Sequence, residues 1–292
     1  MPRAAPPPTP ERRRPRLRAR ATSGLLLIGL VAVACGDDGT PETDAPATAP
    51  STTTAPTTTV APDAADRPSV LIAGDSVLEE AAGPLAFAIE ATGQALAEFS
   101  LGPDLPRDEA DGALWQAALE RTDPDLIVVS VGHWEYLSVL GDFAEGELLA
   151  PGSYPDQVLE PFVDLITATG ARVLWVGPAV IADPDEAEFV DGLEEDFGSL
   201  AERRPEVDFV DADTWLAPEG FAETLPGPDG EPVPVRRADG IHLCPAGQVL
   251  LAEGLLGEVA ERLELDPDPG WAQDWRAGQD PEPGGCAPDY QG

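Results

Sequence analysis

The chain has 292 residues, enough for one large domain or two small ones, and it carries 54 acidic residues against 17 basic ones. All 17 basic residues are Arg; seven fall within residues 1–34 beside a single acid, Glu11, which leaves ten Arg against 53 acids in the rest. So acidic a body excludes charge-driven binding to nucleic acid or to an anionic surface, and it favours solubility.

Residues 1–35 have the build of an export signal. Arg12, Arg13, Arg14, Arg16, Arg18 and Arg20 make a basic leader, and residues 24–34 an apolar core too short to span a bilayer comfortably. Two cleavage readings fit the end of this core. Ala32-x-Ala34 suits an ordinary secretory cut. Ala32-Val33-Ala34-Cys35 is similar to a bacterial lipobox, with Ala32 in place of the usual Leu and Cys35 as the lipidated residue. Cysteine is scarce in the chain and a long tether follows at once, so lipidation of Cys35 is the expectation. The protein is then extracytoplasmic, held by lipid to the outer face of a bacterial cell membrane, or secreted. Residues 36–67, rich in Thr, Pro and Ala, bury too little apolar surface to fold and read as a disordered linker.

From residue 68 to residue 265 strands and helices alternate. Strands are expected at 69–73, 95–101, 125–131, 172–176 and 207–210. Helices are expected at 77–91, 109–121, 157–169, 186–203 and 248–263, with Pro245 close to the first turn of the last. In the second helix Leu114, Trp115, Ala118 and Leu119 share one face. The acidic run 191–196 reads as a solvated helix face. Residues 217–238, rich in Gly and Pro, read as a long loop, and 266–292 as an irregular tail. Five strands interleaved with helices imply a parallel sheet covered on both faces, a three-layer α/β/α sandwich.

The chemistry centres on Val70-Leu71-Ile72-Ala73-Gly74-Asp75-Ser76-Val77. An apolar, β-branched strand breaks at Gly74 and passes through Asp75 and Ser76 into a helix. Ser76 then stands at the carboxyl edge of the sheet, near the positive end of a helix, where developing negative charge is stabilised. Asp75 reads as a turn carboxylate bonded to local backbone. A catalytic serine needs a base and the base an orienter. The chain has two histidines, His133 and His242, and Asp239 stands three residues before His242, in a loop after the fifth strand at the same sheet edge as Ser76. No His/Cys/Asp cluster has metal-ligand spacing, and no Gly-rich phosphate loop occurs; no cofactor is expected.

Gly74-Asp75-Ser76 near the domain start with Asp239-x-x-His242 near its end resembles the GDSL/SGNH hydrolase superfamily, over most of residues 69–263. The resemblance implies a flavodoxin-like five-stranded parallel sheet. It also implies Ser76 as nucleophile, Asp239 and His242 as the rest of a catalytic triad, and the Ser76 and Gly102 amides as oxyanion donors. The family's third block reads Gly-x-Asn-Asp, but here it is Gly132-His133-Trp134-Glu135, with Trp134 where the oxyanion asparagine stands. Losing one such donor costs roughly two to three orders of magnitude in rate unless another group replaces it. The Trp134 indole N–H or the His133 ring are the replacements at hand; His133 and Glu135 are expected as substrate-binding wall residues. The Gly-x-Trp-Glu variant is similar to SGNH domains attached to bacterial envelope O-acyltransferases. The resemblance implies a serine esterase that removes or transfers O-acyl groups on carbohydrate or cell-envelope substrates; with the export signal it is expected outside the cytoplasm, and as a monomer. The alternative is a non-catalytic, glycan-binding envelope lipoprotein with a degenerate site.

With Cys35 set aside for lipid, Cys244 and Cys286 remain in an oxidising compartment, an even count. They are expected to form a disulfide that brings the tail back to the turn carrying His242.

Overall fold

The computed structural model describes residues 66–101, 105–106, 109–132, 154–227, 230–273 and 286. Strands β1 (Ser69–Gly74), β2 (Leu96–Leu101), β3 (Leu126–Ser130), β4 (Arg172–Val176) and β5 (Val207–Val210) form one parallel sheet in the order β2-β1-β3-β4-β5. That is the flavodoxin-like order, in which ligands bind beyond the carboxyl ends of the strands near β1 and β3. Gly74 pairs in register with both Leu101 and Ser130, so β1, β2 and β3 end at one level.

Val70 and Ile72 of β1, Val128 of β3 and Leu174 and Val176 of β4 face one layer; Leu71, Ala73, Ile127, Val129, Val173 and Trp175 face the other. All are buried, so the strands read as continuous apolar runs rather than alternating ones. The first layer is helix α1 (Ser76–Ala91) lying against the last helix, through Leu78, Leu85 and Ile89 on one side and Val249, Leu255 and Val259 on the other. The second layer holds α2 (Glu109–Thr122), α3 (Glu160–Ile166) with a π-helical turn Pro155–Leu159 leading into it, and α4 (Pro184–Arg203). Aromatic rings line this second core: Trp115 meets Phe162 at 4.9 Å, Phe162 meets Trp175 at 5.7 Å, and Trp175 meets Phe197 at 4.9 Å. Both cores grow from the same hydrophobic strands, which explains why the three layers cohere.

The expected strands and helices are present, with several differences. Leu114 is 61% exposed, because the buried stripe of α2 is Trp115, Ala118 and Leu119 and the helix turns Leu114 to one side. The third helix begins two residues early in its π-helical turn, and its α-helical part stops at Ile166 rather than Thr169. The expected loop 217–238 is preceded by a short helix α5 (Asp213–Leu216) and contains an antiparallel pair, β6 (Thr224–Pro226) and β7 (Pro232–Pro234). Prolines that argue against a central strand are tolerated in this isolated two-stranded ribbon. The last helix, α6 (Pro245–Leu263), takes Pro245 as its first residue, where a missing N–H costs nothing. In the tail, Trp271 is buried in the core beside α1 and α6. Cys286 is buried and joined to Cys244, with Cα atoms 5.6 Å apart, so the tail does return to the turn carrying His242. Among the described residues no helix is long and apolar enough to cross a membrane.

Candidate active site

Ser76 owes its place to its two predecessors. Gly74 ends β1 where a Cβ would lie 2.5 Å from the Ser130 carbonyl oxygen, so only glycine lets β1 and β3 run this close at the edge. Asp75 then turns the chain. Its N–H donates to Ser130 O at 2.7 Å, and its Oδ1 accepts from the Val77 and Leu78 amides at 3.1 and 3.2 Å, an N-cap for α1. The buried Ser130 hydroxyl donates to Asp75 Oδ2 at 3.4 Å. Ser76 is thereby the first residue of α1, a position whose N–H has no intrahelical acceptor and lies at the positive helix end.

His242 arrives from the opposite end of the sequence. Residues 235–244 form a tight reversal closed by a bridge between Arg236 and Leu243 and by Cys244 N–H donating to Val235 O at 3.0 Å. At its tip Gly240 adopts φ +73°, a left-handed conformation, with its would-be Cβ 2.4 Å from Ala182 Cβ. Asp239 Oδ1 accepts from the Ile241 and His242 amides, both at 2.9 Å, which folds the carboxylate back onto the turn. Its other oxygen, Oδ2, then meets His242 Nδ1 at 2.9 Å, and His242 Nε2 meets Ser76 Oγ at 3.0 Å.

The electrostatics fix the protons. Partial burial pushes the Asp239 carboxyl up, but the Ile241 and His242 amides and the imidazole outweigh it and bring the pKa down to about 2. An ionised carboxylate only accepts, so Nδ1 carries the ring proton and Nε2 is left to accept from the Ser76 hydroxyl. Beneath this turn lie two arginines from a domain with few. Arg236, buried, donates through Nη1 to Ile241 O at 2.7 Å and through Nη2 to Val180 O at 3.3 Å. Burial lowers its pKa, with Asp213, Glu80 and Asp239 pulling the other way. Arg237 pairs with Glu80 of α1. Burial raises the Glu80 carboxyl, against the pull of the Leu243 N–H and of Arg237. A largely apolar pocket, lined in part by Val77, Ala179, Ile181 and Ile241, lies beside the chain neighbours of Ser76 and His242.

Of the residues singled out in the sequence, Ser76, Asp239 and His242 are brought together in one hydrogen-bonded chain, and Asp75 is the cap expected of it. Cys35, Gly102, His133, Trp134 and Glu135 lie outside the described residues. Sequence reasoning did not single out Glu80, Ser130, Arg236 or Arg237. Two signals were present: Glu80 stands four residues after Ser76, on its helical face, and the Arg236-Arg237 pair stands just ahead of Asp239. Sequence spacing also missed a cluster in which Glu194, Asp211 and Asp213 each bring an oxygen within 4.8 Å of the others. Asp211 Oδ1 accepts from the Asp213 amide at 2.7 Å and Asp213 Oδ1 from the Val180 amide at 2.8 Å, so two of the three serve the local backbone.

A family model described as a protein of unknown function (DUF459) matches residues 69–258. No curated protein matches the chain. Similar solved structures include a catalytic mutant of an acetylxylan esterase from Geobacillus stearothermophilus, 16% identical over 65% of this chain and 93% of that one, with a TM-score of 0.45. A Clostridium thermocellum family 3 carbohydrate esterase is 13% identical over 68% and 98%, with a TM-score of 0.45. A GDSL-like lipase from Bacteroides thetaiotaomicron is 13% identical over 67% and 87%, with a TM-score of 0.42. Likenesses at this level carry no argument about chemistry.

Proposed function

The chain belongs to DUF459, an SGNH-like family, and from that premise we propose that it is an exported serine esterase acting on O-acyl groups of a carbohydrate or envelope molecule. The observation that carries the reading is the continuous hydrogen-bond chain from Asp239 through His242 to Ser76, set at the carboxyl edge of the sheet. Ser76 Oγ attacks the ester carbonyl while His242 Nε2 takes its proton. The oxyanion is received by the Ser76 amide, with the Gly102 amide and the Trp134 or His133 ring as the further donors. The tetrahedral intermediate collapses as His242 returns the proton to the leaving alcohol oxygen. Water, activated by His242, then releases the acid from the acyl-serine; a sugar hydroxyl in its place makes the reaction a transfer.

A fluorophosphonate probe reacts with an activated serine and with little else. The expected result is a single adduct on the peptide carrying Ser76, together with hydrolysis of p-nitrophenyl acetate. An unlabelled protein that binds envelope polysaccharide would sink this reading and favour the glycan-binding one. The same proposal places the enzyme outside the cytoplasm, tethered through Cys35 and the 36–67 linker; its support is the basic and apolar leader and the lipobox-like Ala32-Val33-Ala34-Cys35. Cys35→Ala is expected to move the protein from the membrane fraction to the medium, and equal release of wild type and variant rejects the anchor.

A further inference from the structure

The backbone of the turn carrying His242 can be accounted for group by group. The Ile241 and His242 N–H groups go to Asp239 Oδ1, and the Cys244 N–H to Val235 O. Ile241 O accepts from Arg236 Nη1, His242 O from the Arg237 N–H at 2.8 Å, and Leu243 O from Arg237 Nε at 3.2 Å. These partners belong to the reversal itself, while the Ala182 N–H donates to Gly240 O at 3.1 Å and Gln248 Nε2 to Leu243 O at 3.4 Å from outside it. The Leu243 N–H reaches across to α1, donating to Glu80 Oε2 at 2.7 Å. The other Glu80 oxygen pairs with Arg237, the same guanidinium that holds the Leu243 carbonyl.

Glu80 lies four residues after Ser76, one turn along the same face of α1. A single rigid helix therefore carries the Ser76 hydroxyl and, a turn away, a carboxylate that grips the residue following His242. Placing a half-buried carboxylate here costs desolvation, which a leucine would avoid while still packing α1 against the turn. What the carboxylate adds is direction: two charge-assisted bonds of set length and angle. We propose that Glu80 is a positioning residue, which sets the approach of the His242 ring to Ser76 by holding the Leu243 N–H and Arg237 from the nucleophile's own helix. The proposal rests on the reading of Ser76 as nucleophile and His242 as base. It assigns no chemistry to Glu80 itself, which touches neither reacting atom.

The test compares Glu80→Leu and Glu80→Gln with wild type in hydrolysis of p-nitrophenyl acetate and in the rate of fluorophosphonate labelling, with Ser76→Ala as reference and thermal unfolding as the check of fold. Misplacing a base by a fraction of an ångström acts on the chemical step, so Glu80→Leu should lose about 10- to 100-fold in kcat with KM changed by no more than about twofold. Labelling of Ser76 should slow in parallel. Glu80→Gln keeps an acceptor for the Leu243 N–H and should recover part of the loss. A folded Glu80→Leu with wild-type kcat, or a change confined to KM, overturns the proposal; should that variant not fold, the isosteric Glu80→Gln decides, and wild-type kcat there overturns it equally. Activity surviving in Ser76→Ala overturns the underlying reading and this one with it. Loss in Ser76→Ala beside unchanged Glu80 variants overturns the positioning role alone.

Discussion

Asp239→Asn is expected to lower kcat for ester hydrolysis by about four orders of magnitude while leaving the fold in place, as loss of the correct imidazole tautomer does in serine triads. The change is nearly isosteric. The asparagine carbonyl oxygen can still accept from the Ile241 and His242 amides, as Asp239 Oδ1 does at 2.9 Å, so the turn keeps its shape. The amide NH₂ then takes the place of Oδ2 opposite His242 Nδ1, where the contact is 2.9 Å. A donor there forces Nδ1 to accept and puts the ring proton on Nε2. The nitrogen facing Ser76 then cannot take the serine proton. Steady-state kinetics on p-nitrophenyl acetate read the effect, with Ser76→Ala marking the floor. A variant within about tenfold of wild type would show that Asp239 is not the group that orients His242.

The same substitution has a consequence for stability against pH. The folded-state pKa of Asp239, about 2, lies below its ordinary 3.8. A group held below its unfolded value stabilises the fold fully at pH above that value and loses its contribution as pH falls through the folded one. The contribution of Asp239 is thus present above about pH 4 and lost toward pH 2. Thermal unfolding of wild type and Asp239→Asn across this window should converge as the acid end is reached. The Asp239 side chain is 45% exposed, so solvent screening keeps the effect small.

Cys286→Ser is expected to lower the stability of the protein by about 4 kcal/mol, the chain-entropy value for a bridge of this loop length. The bridged residues are 42 apart in sequence, and both are buried. For a domain of this size the loss corresponds to a fall in Tm of about 8–16 °C. Cys244 is also the residue that precedes α6 and stands two positions after His242, so the bridge pins the return of the turn carrying His242 from behind. Two separately alkylated thiols in native exported protein, or an unchanged Tm for Cys286→Ser, would refute the bridge.

Much of this protein is set by its sequence alone. Runs such as Leu126-Ile127-Val128-Val129 and Arg172-Val173-Leu174-Trp175-Val176 can only be buried strands, because their apolar residues fill both faces and their length is too short for a core helix. Their alternation with helices dictated a parallel sheet before any pairing was known. The meeting of Ser76, Asp239 and His242 was legible too, since a chain with two histidines offers a serine few partners. Only the tertiary structure decided how they are held. Glu80 grips Leu243 across 163 positions of sequence, Ser130 meets Asp75 across 55, and Arg236 reaches Val180 across 56. No periodicity encodes such pairs, because hydrogen bonds between distant segments depend on where the sheet edge brings them. The hairpin of β6 and β7 escaped for a related reason. Its prolines carry a loop signature locally, and it becomes a ribbon only through backbone pairing that a sequence pattern does not display. Local composition determines which segments become strands and helices; their three-dimensional assembly determines which side chains come within hydrogen-bonding reach of each other, and the proposed chemistry depends on the second.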